Sequence, residues 1–108
     1  QNRSYRNGQA GAIYKQTAPL VNPIRPMGEW NVYDIIYTAP RFTVNGGIDT
    51  PAYVTVIFNG VVVQNHTKIQ GTTEYIGQPL NPVHGPGPIS LQDHGNAVSF
   101  RNIWIREM

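Results

Sequence analysis

The sequence predicts an all-β, antiparallel fold. Runs rich in Val, Ile, Tyr, Thr and Trp recur along the 108 residues, and 11 Gly and 9 Pro punctuate them. Apolar residues nowhere repeat at helical spacing, so neither a helix nor a heptad is expected. The length fits one domain, residues 1–108, with a modest core. Residues 1–10 read as an N-terminal arm.

The elements follow in order. Gly11-Ala12-Ile13-Tyr14 is a short apolar run after the Asn7-Gly8 turn signal, and Pro19, Pro23 and Pro26 make Lys15 to Met27 a loop. Trp30 to Thr38 is the strongest strand pattern. Its alternating faces, Trp30/Val32/Asp34/Ile36 and Asn31/Tyr33/Ile35/Tyr37, are both mixed, which predicts that both are covered. Pro40 ends it. Arg41 to Val44 is a second, shorter strand, stopped by Asn45-Gly46-Gly47. Ala52 to Phe58 and Val61 to Asn65 flank Asn59-Gly60, the pair suited to a type I′ hairpin turn. Gly71 to Pro88 is irregular, with room for one short strand near Glu74 to Ile76. Ile89 to Gln92 and Val98 to Ile105 complete the expected strands. A bulge at Arg101-Asn102 would bring Val98, Phe100, Ile103 and Ile105 to one face.

Composition narrows the function. Charged residues make up 13%, against roughly 25% in ordinary soluble domains. Such a surface is either simply rich in Asn, Gln and Thr or covered by a partner, by copies of the chain, or by sugar. The net charge is +2 and the basic residues are scattered; Arg3 and Arg6 around Tyr5 come nearest to a basic stripe, so nucleic acid is not an expected partner. Without cysteine there is neither a disulfide framework nor a thiolate metal site. No run approaches the roughly 18 apolar residues of a membrane helix. The chain opens on Gln1 without a signal-peptide pattern, which reads as a processed chain or a piece of a longer one.

Gln92-Asp93-His94-Gly95 is the most site-like cluster. His94 can exchange a proton near neutral pH, and Asp93 can orient it or meet a cation; the same pair can equally hold a turn through side-chain to backbone bonds, the reading preferred here. His66 follows the hairpin and could approach. The spacing of His66, His84, His94 and Asp93 matches no metal motif, so no metal or other cofactor is expected. The six carboxylates nominate no glycosidase pair. Among the aromatic side chains, Trp30, beside Glu29, and Tyr75 are candidates for stacking on a sugar ring, though a Trp opening a strand more often belongs to a core. Asn2 and Asn65 head Asn-x-Ser/Thr triplets and are candidate glycan acceptors.

The tail adds a resemblance. Gly87-Pro88-Ile89-Ser90-Leu91-Gln92-Asp93-His94-Gly95 followed by Phe100-Arg101-Asn102-Ile103-Trp104-Ile105 is similar to the closing signature of the 3-keto-disaccharide hydrolase domain family. Gly11–Tyr14, Gly28-Glu29-Trp30-Asn31, Tyr33-Asp34-Ile35, Arg41-Phe42 and Pro51 through His66 extend the likeness in the family's order. It implies a concanavalin-like, jelly-roll β-sandwich, of which the chain corresponds to the C-terminal half. It also implies a sugar-acting relative that hydrolyses or opens 3-keto-glycosides. The family's N-terminal strands have no counterpart here, so the activity does not follow with the fold.

Two functions are therefore expected. In the first, a truncated sandwich polymerises head-to-tail through open strand edges into an extracellular, glycan-coated filament, with copies of itself and glycan as partners. In the second, the chain is a carbohydrate-active or glycan-binding domain. Either implies a bacterial-type extracellular, cell-surface or periplasmic location.

Overall fold

The computed structural model describes residues 10–73, 77–92, 95 and 97–108. Among them are five strands: β1 Tyr33–Thr38, β2 Arg41–Phe42, β3 Ile48–Thr50, β4 Tyr53–Phe58 and β5 Val61–Lys68. All pairings are antiparallel. β1, β4 and β5 form a three-stranded sheet with β4 central, and β2 pairs with β3 alone. The all-β, jelly-roll-like class is as the sequence implies. No helix among the described residues is long and apolar enough to cross a membrane.

The β4–β5 hairpin forms where the sequence places it. Phe58 pairs with Val61, and the intervening Asn59 and Gly60 have φ of 51° and 79°, both left-handed as a type I′ turn requires. β1 starts later than Trp30 because the preceding residues are committed to a loop. Arg25 N–H donates to Asn31 Oδ1 at 3.0 Å, and the Arg25 guanidinium donates to the Trp30 carbonyl at 2.7 Å. β2 stops at Phe42 because Thr43 turns the chain: its N–H donates to the Gly47 carbonyl and its hydroxyl accepts from Gly47 N–H. That turn delivers β3, which the sequence reading missed.

The core sits on one face of the larger sheet. Val54, Val56, Phe58 and Val63 are buried, and Ala10, Ile13 and Ile69 pack against them. The covering segment is a tight turn in which Ile13 and Thr17 exchange backbone hydrogen bonds. Gly11, at φ +84°, lies so close that a Cβ there would stand 3.1 Å from Val63 Cγ2, which is why the run needs glycine at this point. The buried amide of Gln64, 1% exposed, donates to the carbonyls of Gly11, Thr17 and Ala18 at 3.0–3.3 Å and fastens the turn to the sheet.

Two expectations are corrected here. β1 was expected to be covered on both faces, but every residue in it is exposed. It is an outer strand, and no described segment forms a second layer over it. The tail was expected to form two strands, yet Ile89–Gln92 and Val98–Ile105 carry no strand pairing. A strand requires a ladder partner, and the described residues offer the tail none, so Val98, Phe100, Ile103, Trp104 and Ile105 stay exposed. The backbone break does fall where the alternation slips, with Asn102 at φ 54°, but without a ladder it is not a bulge. The strand expected near Glu74 to Ile76 lies outside the described residues, as does the arm except for Ala10.

Candidate functional site

The register divides the three-stranded sheet into two unlike faces. Residues directly opposite each other in an antiparallel pair share a face. On the core face run Tyr33–Phe58–Val61, Ile35–Val56–Gln64 and Tyr37–Val54–Thr67. On the other run Thr38–Tyr53–Lys68, Ile36 beside Thr55, and Asp34–Ile57–Val62. The second face thus mixes an aromatic ring, hydroxyls and charges of both signs.

His66 joins it through an irregularity in β5. Between the pairs Val54↔Thr67 and Val56↔Gln64, β5 contributes one residue more than β4. The extra residue is absorbed with His66 at φ 47°, a left-handed value that few residues other than Gly adopt. Its N–H donates to the Thr55 hydroxyl at 3.0 Å. The bulge aims the imidazole along the sheet onto Tyr53, where the rings stack with centroids 4.3 Å apart and planes 3° from parallel. Bulges that re-aim a side chain are concentrated next to binding sites. The stack covers one face of each ring; His66 is exposed and Tyr53 half-buried, with Asp34, Thr38, Thr55 and Lys68 on the same sheet face.

A cleft of about 550 Å³ opens at the far end of the core face. Trp30, Tyr33, Phe58 and Phe100 form its walls, and Glu29 and Asn31 are among its few polar groups. Tyr33 stacks on Phe58 at 4.4 Å, and burial raises the Tyr33 phenol above its ordinary value of 10.0. Trp30 is 41% exposed, but the Arg101 guanidinium lies 3.9 Å over its ring. One Trp30 face is therefore already taken by a cation–π contact.

The other site residues expected from sequence fall apart in space or outside the description. Asp93, His94, Tyr75 and Asn2 are not among the described residues. Asn65 is exposed within β5, and the Thr67 hydroxyl of its triplet donates to Gln64 Oε1 at 2.9 Å. His84 packs edge-on against Phe42 of the smaller sheet, 5.4 Å between centroids, rather than joining His66 on the Tyr53 ring. Among the described residues no group of three His, Cys, Asp or Glu could hold a metal ion. The residue that sequence reasoning left unpaired is Tyr53. Its partnership with His66 depends on a bulge that alternation does not reveal.

The chain is similar to a solved structure, that of a candidate glycosyl hydrolase from Parabacteroides distasonis ATCC 8503. They share 63% identity, with a TM-score of 0.73, over 75% of this chain and 34% of that one. The chain thus spans about a third of the length of that protein. No curated protein matches it. The family model described as the 3-keto-alpha-glucoside-1,2-lyase-like domain matches residues 1–106. By that match the chain belongs to the 3-keto-α-glucoside-1,2-lyase-like domain family.

Proposed function

We propose that the chain is the sugar-binding part of a carbohydrate-active β-sandwich, and that it receives a glucoside or 3-keto-glucoside on the sheet face bearing Tyr53 and His66. The observation that carries this is the left-handed bulge at His66, which spends backbone strain to lay the imidazole flat against Tyr53. A pyranose presents C–H groups to a flat aromatic surface, and its hydroxyls need donors and acceptors around the rim. Thr38, Thr55, Asp34 and Lys68 supply both on the same face. Family membership supports sugar as the ligand class. His66 also brings ring nitrogens able to donate or accept a hydrogen bond to a sugar hydroxyl. Asp93 and His94 stay candidates from the sequence for acid–base chemistry. A location outside the cell or in the periplasm accords with a sugar-acting family.

The test is a titration of the chain with glucosides and 3-keto-glucosides, followed by NMR shifts of assigned amides. Shifts centred on β4 and β5 around Tyr53 and His66, lost in Tyr53→Ala, are the expected result. Shifts centred instead on Trp30 and Phe100 would move the site to the cleft and refute this assignment.

The filament expected from sequence would need an open strand edge. The outer edge of β1 carries no pairing partner among the described residues and holds no Lys or Pro to guard it. This reading predicts large species on native sizing that disappear when residues 1–10 are deleted; a monodisperse monomer at high concentration would exclude it.

A further inference from the structure

We propose that Asn59 is a deamidation site, guarded in the folded chain, whose conversion unfastens the loop that carries Glu29 and Trp30. Asn followed by Gly is the dipeptide most open to this reaction, since glycine places no side chain in the path of its own nitrogen. The Gly60 backbone nitrogen attacks Asn59 Cγ. The side-chain nitrogen leaves as ammonia, taking up the Gly60 amide proton, and a five-membered succinimide closes. Water then opens the ring to aspartate or isoaspartate, so one water is consumed and one ammonia released overall.

The structure holds Asn59 away from that path. Its backbone N–H donates to the Val32 carbonyl at 2.8 Å, while Val32 N–H donates to Asn59 Oδ1 at 2.8 Å. Backbone and side chain thus both engage the same residue beyond the end of β1, drawing Cγ toward that strand. Asn59 Nδ2 donates to the Pro23 carbonyl at 2.9 Å and to Asn31 Oδ1 at 2.8 Å. The turn residue of the hairpin is therefore also the fastening of the Pro23–Val32 loop. Asn45-Gly46, the other described Asn-Gly pair, sits in the β2–β3 turn and makes no such clamp among the described residues.

Conversion reverses the clamp. An aspartate at 59 still accepts from Val32 N–H, but its second oxygen faces two acceptors, the Pro23 carbonyl and Asn31 Oδ1. Asn31 does not relieve this by turning its amide over, because its Oδ1 also accepts from Arg25 N–H. An isoaspartate adds a main-chain methylene at the turn as well. Either product drives the loop off the sheet end, and the cleft wall goes with it.

The experiment holds the chain, folded and in urea, at mildly alkaline pH and follows the amide-to-acid mass gain and isoaspartate at residue 59 by peptide mapping. Asn31→Ala, which removes one acceptor of the clamp, is run folded alongside. Asn59→Asp is probed with a glutamate-specific protease for cleavage after Glu29. Expected are at least about a tenfold slower conversion folded than unfolded, an intermediate rate in Asn31→Ala, and about tenfold faster cleavage after Glu29 in Asn59→Asp. Equal folded and unfolded rates, an Asn31→Ala rate equal to that of the parent, or unchanged cleavage after Glu29 would each overturn the proposal.

Discussion

Gln64 shows how much a single buried amide organises here. Its Nε2 is the donor for three carbonyls of the covering turn, and its Oε1 accepts from Thr67. No buried side-chain polar atom among the described residues lacks a partner. Gln64→Leu keeps the volume but strands the Gly11 and Ala18 carbonyls, leaving the Thr17 carbonyl its bond from Ile13 N–H, and about 1–3 kcal/mol of stability should be lost; a urea midpoint unchanged from the parent would contradict this. Tyr33 makes a second prediction at this scale. Partial burial against Phe58 raises its phenol above 10.0 although the residue as a whole stays 46% exposed, so the folded chain holds that proton more tightly than the unfolded one. The stability from the neutral phenol is fully present below the unfolded value and falls as pH rises through the folded one. Tyr33→Phe keeps the stack on Phe58 and should flatten that part of the alkaline decline in urea midpoint; an identical decline in both would refute it. Neither residue's role was legible beforehand. The sequence shows a Gln in a valine-rich strand and a Tyr in a mixed one, and both roles depend on which segment arrives to cover them.

At the scale of elements, legibility followed local chemistry. The Asn59-Gly60 hairpin was readable because its turn depends on two adjacent residues with positive φ. Gly60→Val should therefore cost roughly 1 kcal/mol or more, since a β-branched side chain resists that region. A Gly60→Val midpoint matching the parent would mean that the turn is not type I′. The rest of β5 was less legible. Its two register shifts bury Val63 and Gln64 side by side and turn His66 onto Tyr53, whereas alternation predicts one residue in and the next out. β3 was missed because Ile48-Asp49-Thr50 is too short to show a period. The tail has strand-like composition but no described partner, so its pattern predicted a propensity and not a ladder.

At the scale of the whole molecule, the imbalance between the faces is the main feature. The core is small, yet Ile35, Tyr37, Val98, Ile103 and Trp104 are all about half exposed or more. The jelly-roll-like class was legible from the family signature in the tail. Of the candidate site, His66 was legible as a site residue but its stack on Tyr53 was not, and the Asp93-His94 cluster lies outside the described residues. On the sheet face opposite the core, Tyr53 and His66 stand with Asp34, Thr38, Thr55 and Lys68. That face is central to the proposed function, and His66 is its test. His66→Ala removes the exposed ring of the stack and leaves the other residues of β4 and β5, Gln64 among them, unchanged. Titration of the parent and of His66→Ala with a 3-keto-glucoside, read by calorimetry with the circular dichroism of both chains checked, measures the claim directly. The account predicts saturable binding by the parent and at least about a tenfold loss in the variant, as expected when the exposed stacking ring is removed. Parent-like affinity in a folded His66→Ala chain would contradict it.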